Sequence, residues 1–105
     1  MASFHLSILT PTGTIFSDQV ESVMAPGSQG AFGVLKNHAP MITILDSGIL
    51  RAKQSNKDFY FAVMMGSLEV DPSGDVLVLS GAATKFDTLE TAKKNTTHLQ
   101  GIFNS

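Results

Sequence analysis

Along most of the chain, apolar and polar residues alternate with a period of two. Phe4, Leu6 and Ile8 are separated by His5 and Ser7, the pattern of a strand with one buried face. Pro11-Thr12-Gly13 interrupts it with turn-forming residues. A second run opens at Ile15 and Phe16 and continues to Ala25-Pro26-Gly27. In that run Val20, Ser22 and Met24 are expected on one face, and Glu21 and Val23 on the other. Ala31-Phe32-Gly33-Val34-Leu35 reads as a further strand, and Ile42 to Leu45 as another that stops at Asp46-Ser47-Gly48. Leu50 and Ala52 then face inward while Arg51 and Lys53 face out, and Ser55-Asn56-Lys57-Asp58 is expected to turn the chain. Leu68 and Val70 alternate with Glu69 and Asp71 before the turn at Pro72-Ser73-Gly74-Asp75.

Turn signals at intervals of about 8–12 residues predict an antiparallel sandwich or barrel. Two runs, Phe59 to Met65 and Val76 to Leu79, have no polar face. Either they lie centrally and are covered on both sides, or their outer face meets a partner. The pattern leaves both readings open.

The texture changes at Thr84. Asp87 is positioned to cap a helix, with Glu90 three residues on as in a capping box. Leu89, Ala92, Leu99 and Phe103 keep helical spacing, interrupted by Thr96, and Gly101 is expected to end the helix. A helix of about 12–14 residues is marginal in water unless something packs on its apolar stripe. The expected organisation is therefore a β-sandwich domain over residues 1–84 and a helical remnant over 85–105.

The length of 105 residues suits one domain. A formal net charge of −2 supplies no broad basic field to attract nucleic acid or anionic lipid. With no cysteine there is no disulfide and no Cys-ligated metal. The N-terminal residues lack the charged and apolar regions of a signal peptide. No apolar run approaches the roughly 18 residues of a bilayer span. A soluble protein is expected, or one held at a membrane by another protein.

Candidate chemistry centres on Gly27-Ser28-Gln29-Gly30-Ala31-Phe32-Gly33. The G-x-x-G-x-x-G spacing matches neither the dinucleotide fingerprint nor a P-loop, and the residues after it read as a strand. The positive end of a helix dipole that would hold a phosphate is therefore not expected. His5, His38 and His98 lie far apart, without the spacing of metal ligands. Ser28, His38 and Asp46 could be named as a nucleophilic trio, but no nucleophile elbow surrounds the serine. What remains is backbone shape. Glycines permit sharp turns and close approach, Asn37 tolerates positive φ, and Pro40 biases Ala39 toward extended conformations. These features describe a contact loop.

The stretch VESVMAPGSQGAFGVLKNHAPMIT resembles a segment of the epsilon subunit of F-type ATP synthases, which reads approximately V-x-x-V-x-x-P/T-G-S-E-G-E-L-G-I-x-P-G-H-A-P-L-L-T. Phe4-His5-Leu6, Thr10-Pro11-Thr12-Gly13, Phe16-Ser17, Gly48-Ile49-Leu50-Arg51, Gly66-Ser67-Leu68-Glu69-Val70 and Val76-Leu77-Val78-Leu79 resemble further family elements in the same order. The resemblance implies a flattened β-sandwich, here all-β with about ten short strands and a short C-terminal helix. It implies a non-catalytic central-stalk subunit with no cofactor. The implied partners are the gamma subunit and the ring of c subunits, with membrane contact only through that ring. The implied location is the cytoplasmic face of the inner (plasma) membrane, and the family role couples c-ring rotation to gamma and can regulate ATP hydrolysis. Gly27, Ser28, Gln29, Gly30, Ala31, Phe32 and Gly33 resemble the c-ring loop. His38, Ala39, Pro40 and Met41 resemble part of the gamma-facing surface, to which Ala62 and Met64 on the apolar run are added.

Departures modify these expectations. Gln29 and Ala31 stand where the family loop often carries acidic residues, so packing by Phe32 and backbone contacts are expected to replace attraction to a basic loop. Met64-Met65-Gly66-Ser67 replaces Ser-Gly-Gly-Phe, and adaptable methionines suit a partner face. Family members usually continue through two helices. This chain is expected to be a short form with a truncated hairpin, which argues against ATP binding. The alternative reading is a stand-alone β-sandwich that binds a small ligand or partner, with His38 at its site.

Overall fold

The computed structural model describes residues 2–94. Their ten strands are β1 (Phe4–Thr10), β2 (Gly13–Val20), β3 (Ser22–Gly27), β4 (Gly30–Leu35), β5 (Met41–Leu45), β6 (Gly48–Gln54), β7 (Lys57–Val63), β8 (Gly66–Val70), β9 (Val76–Ser80) and β10 (Ala83–Phe86). They form one continuous ladder in the order β10-β7-β6-β3-β5-β8-β9-β1-β2, with β4 on β3. All pairings are antiparallel except that of β1 with β9.

The ladder folds over at β3. Ser22 to Met24 pair with β6, whereas Gly27 pairs with Leu45 of β5. This hinge divides the strands into two layers, β10-β7-β6-β3-β4 and β5-β8-β9-β1-β2. Phe16 of β2 reaches across to β7, its ring 5.9 Å from that of Phe59 and 5.3 Å from that of Phe61. Such offset and edge contacts suit the aromatic quadrupole. The ammonium groups of Lys57 and Lys85 lie over the Phe59 ring, 5.1 and 4.2 Å from its centroid. Leu6, Ile8, Val23, Val34, Leu45, Leu50, Phe61, Leu68 and Val78 fill the space between the layers. The all-β sandwich expected from the turn spacing is the observed architecture.

Three local expectations need correction. The run from Ile15 to Gly27 is two strands, because its alternation changes phase at Glu21. Val20 is buried before that bend, and Val23 and Ala25 after it, so Met24 faces solvent. The Glu21 N–H donates to the Lys53 carbonyl at 2.7 Å, which fixes the bend against β6. The β6–β7 turn is only Ser55 and Asn56. Ser55 takes a left-handed φ of 56°, and Lys57 and Asp58 already pair with Gln54 and Lys53. Finally, the described helix covers residues 89–94 and is capped by Thr88, not Asp87. The Thr91 N–H donates to Thr88 Oγ1 (3.2 Å), and the Ala92 N–H donates to the Thr88 carbonyl (3.2 Å). Leu99, Gly101 and Phe103 lie outside the described residues.

The two runs without a polar face resolve differently. In β7 Phe59, Phe61 and Val63 point into the core, and Ala62 on the second face is also buried. In β9 Val76 and Val78 are buried, but Leu79 on the second face is 46% exposed. One strand is thus covered on both sides, and the other presents apolar surface to solvent.

Candidate functional site

The β3–β4 hairpin turns through Ser28 and Gln29, with Gly27 paired to Gly30. Gly30 adopts φ 119°, a conformation that side chains rarely tolerate. The stem is tied to the end of β5: the Ser28 N–H donates to the Ile44 carbonyl (3.2 Å), and the Asp46 N–H donates to the Pro26 carbonyl (2.8 Å). Ser28, Gln29, Gly30 and Ala31 are exposed, beside a groove of about 350 Å³ that reaches Thr43. The Phe32 ring folds back over Gly27 and packs against the core. The tip therefore offers small and uncharged groups, with the aromatic ring behind them.

An apolar surface runs across the outer face of the second layer. Ile42 is 75% exposed and Ile44 61% exposed, because Leu45 commits the opposite face of β5 to the core. Register places Ile44 beside Ser67, Ser67 beside Leu79, and Leu79 beside Leu9. Met65, in the β7–β8 corner, is 64% exposed. A groove of about 540 Å³ lies along this row, lined by Leu9, Thr10, Pro11, Gly66, Ser67 and Leu79 among others, none of them charged. Glu69 of β8 stands on the same outward face, as the cross-strand partner of Ile42 and of Leu77, so the uncharged part of the face is the row from Ile44 to Leu9. Exposed apolar side chains grouped on one face in this way are the kind of feature that marks interaction surfaces.

The other candidate residues do not gather in one place. His38, Ala39 and Pro40 form the β4–β5 connection, at the opposite end of the sandwich from the Ser28–Gln29 tip. Asn37 there has φ 69° and lies near Gly74 of the β8–β9 turn. His38 Nδ1 is 2.7 Å from the Ala39 carbonyl, a local bond that fixes the ring. Met41 is half-buried against the core, Ala62 is 2% exposed, and Met64 is half-buried at the hairpin end. Met41 pairs with Val70 and Leu45 with Gly66, so about 14 Å of strand separates Met41 from the Met64 corner. Ala62 can offer nothing to an outside partner. Ser28 and Asp46 lie at the hairpin end and His38 at the other, so the nucleophilic trio is not assembled.

His5 and His38 sit on separate elements, and His98 is outside the described residues. Among the described residues no group of three or more metal-ligating side chains converges, and no helix is long and apolar enough to cross a membrane. The polar cluster that does form is structural. Asp71 Oδ1 accepts the Ser73 N–H (2.9 Å), the Ser73 hydroxyl (2.6 Å) and the Asp75 N–H (3.0 Å), while Asp75 Oδ1 accepts the His5 N–H (3.0 Å). The Ser73 hydroxyl, with these backbone donors, holds the Asp71 carboxyl below its ordinary pKa. Met65 and Leu79 lie in runs whose outer face was left open to a partner, whereas Ile42 and Ile44 were not among the expected contact residues. The signal for Ile42 and Ile44 was present in β5, whose two faces are both largely apolar.

The family model described as ATP synthase, delta/epsilon chain, beta-sandwich domain matches residues 3–86. The chain is 43% identical over 83 residues to the ATP synthase epsilon chain of Campylobacter curvus, covering 78% of this chain and 64% of that protein. It is 33% identical over 101 residues to the epsilon chain of Helicobacter pylori, covering 90% of this chain and 82% of that one. Its fold is shared with a chain in the Euglena gracilis mitochondrial ATP synthase OSCP/F1/c-ring structure. That match has a TM-score of 0.77 at 21% identity and covers 89% of this chain and 59% of that one. A chain of the Tetrahymena thermophila mitochondrial ATP synthase central stalk and c-ring also shares it. There the TM-score is 0.66 at 12% identity, covering 97% and 96%. The chain thus spans about two-thirds of the length of several curated relatives, including 66% of the epsilon chain of Pelotomaculum thermopropionicum. By the extent of these matches, and by a sandwich whose strands follow the expected order, the chain belongs to the ATP synthase delta/epsilon family through its β-sandwich domain.

Proposed function

We propose that the chain is a non-catalytic subunit of the ATP synthase rotor, coupling rotation of the c-ring to the gamma subunit. In this reading it works through contact surfaces and uses no cofactor. The observation that carries this reading is the row Ile44, Ser67, Leu79 and Leu9, open to solvent at Ile44 and Leu79, together with the exposed Ile42 and Met65. A protein that stays alone in water has no use for such a row. A rotating coupling needs a wide dry contact that does not slip, and stable interfaces bury roughly 1,200–2,000 Å² in total.

Gamma is assigned to this apolar face and the c-ring to the Ser28–Ala31 tip. The hairpin stem bonds to the end of β5, so the two surfaces are mechanically continuous and a load applied to one reaches the other through β5. The proposed location is peripheral, on the cytoplasmic face of the inner membrane, with the c-ring supplying the only membrane contact. The test is capture of tagged chain from detergent-solubilised membranes. Gamma and c subunits retained together support the reading. A chain recovered free of both overturns it.

A further inference from the structure

The corner joining β7 to β8 is held more firmly than a surface connection needs to be. The Ser80 hydroxyl is buried, at 6% residue exposure. It accepts the Met64 N–H at 3.1 Å and has the Ala82 carbonyl at 2.7 Å and the Met64 carbonyl at 2.9 Å to receive its own proton. The Met64 N–H also reaches the Ala82 carbonyl at 3.0 Å. One residue on, the Met65 N–H donates to the hydroxyl of Ser47, which belongs to the β5–β6 connection, at 3.0 Å. On the other side Gly66 is pressed onto the main chain of β9. Contacts from three neighbouring segments thus fix a corner whose central side chain, Met65, projects into solvent at 64% exposure.

We propose that Met65 is a preorganised docking anchor, and that Ser47 and Ser80 are positioning residues for it. The proposal rests on the rotor reading above and adds to it which residue engages gamma and by what chemistry. An unbranched thioether adapts to an irregular apolar cavity, but it usually loses rotamer and backbone freedom on binding. Fixing the backbone beforehand removes part of that loss. The occupant follows from the charge pattern. The adjoining groove along Leu9, Gly66, Ser67 and Leu79 carries no charge. A charged partner group would be desolvated there without a counter-ion. The partner surface must therefore supply an uncharged apolar cavity for Met65 and an apolar protrusion for the groove.

The experiment measures the affinity of purified gamma subunit for the full chain and for Met65→Ala, Met65→Leu and Ser47→Ala, alongside melting temperature and amide exchange at residues 64–66. Met65→Ala is expected to weaken binding about tenfold with an unchanged melting temperature, and Met65→Leu to restore most of it. Ser47→Ala is expected to weaken binding a few-fold while speeding exchange of the Met65 amide. If the unaltered chain binds gamma and Met65→Ala binds equally well, the anchor is wrong and the rotor reading stands. If Ser47→Ala changes neither affinity nor exchange, the positioning role is wrong. If the unaltered chain does not bind gamma, the rotor reading falls and the anchor with it.

Discussion

The place a β-carbon would take on Gly66 is filled by the main-chain carbonyl of Leu79. Strands β8 and β9 meet there without a side chain between them, and the apolar row crosses at that level. The obstruction is backbone, which cannot rotate aside. Gly66→Ala is therefore expected to destabilise the fold by about 2 kcal/mol or more, as forced overpacking does. For a domain of this size that lowers the melting temperature by roughly 8–16 °C. Thermal unfolding followed by circular dichroism checks it.

The β8–β9 turn gives a pH dependence of known sign. Asp71 has its folded-state pKa lowered from 3.8, chiefly by the Ser73 hydroxyl. A lowered carboxylate pKa contributes stability at pH values above 3.8. That contribution is lost as pH falls below 3.8 and through the lower folded-state value. Asp71→Asn should therefore be less stable than the unaltered chain near neutrality, and the gap should close below pH 3.8. Chemical denaturation of both proteins across that range measures it; a gap that widens in acid would show that Asp71 plays no such part.

At the start of the described helix, Thr88 offers its hydroxyl oxygen to the Thr91 N–H. Thr88→Ala should cost about 1 kcal/mol of local helix stability, seen as faster amide exchange at Thr91, whereas Asp87→Ala should leave that exchange unaltered. Equal effects of the two substitutions would contradict the assignment of the cap.

Much of the sandwich was legible because strand burial imposes a period of two. Phe4-Leu6-Ile8, Leu50-Ala52 and Leu68-Val70 each announce an inward face, and their turns carry Gly, Pro, Asn or Asp. The alternation failed at Glu21, where a bend changes the phase; a bend set by a main-chain bond to Lys53 leaves no side-chain signature. It also left Ala62 and Leu79 indistinguishable. Both lie on the second face of an apolar strand, and only the neighbouring layers decide that one is covered and the other open. The hairpin glycines and the left-handed Asn37 were readable from local backbone preference. The separation of His38–Met41 from Met64 was not, because it depends on the direction in which β5 and β8 run past each other.

The most direct test of the rotor reading is ATP-driven proton pumping by reconstituted ATP synthase carrying the double substitution Ile44→Asp, Leu79→Asp. Both positions are exposed, so the fold should survive, as circular dichroism would verify. The expected result is a folded chain that no longer co-purifies with gamma and an enzyme that hydrolyses ATP without pumping in step. Lys53→Gln on the outer face of β6 serves as the unaffected control. Retained gamma binding together with undiminished pumping in the double variant would contradict the assignment of this face.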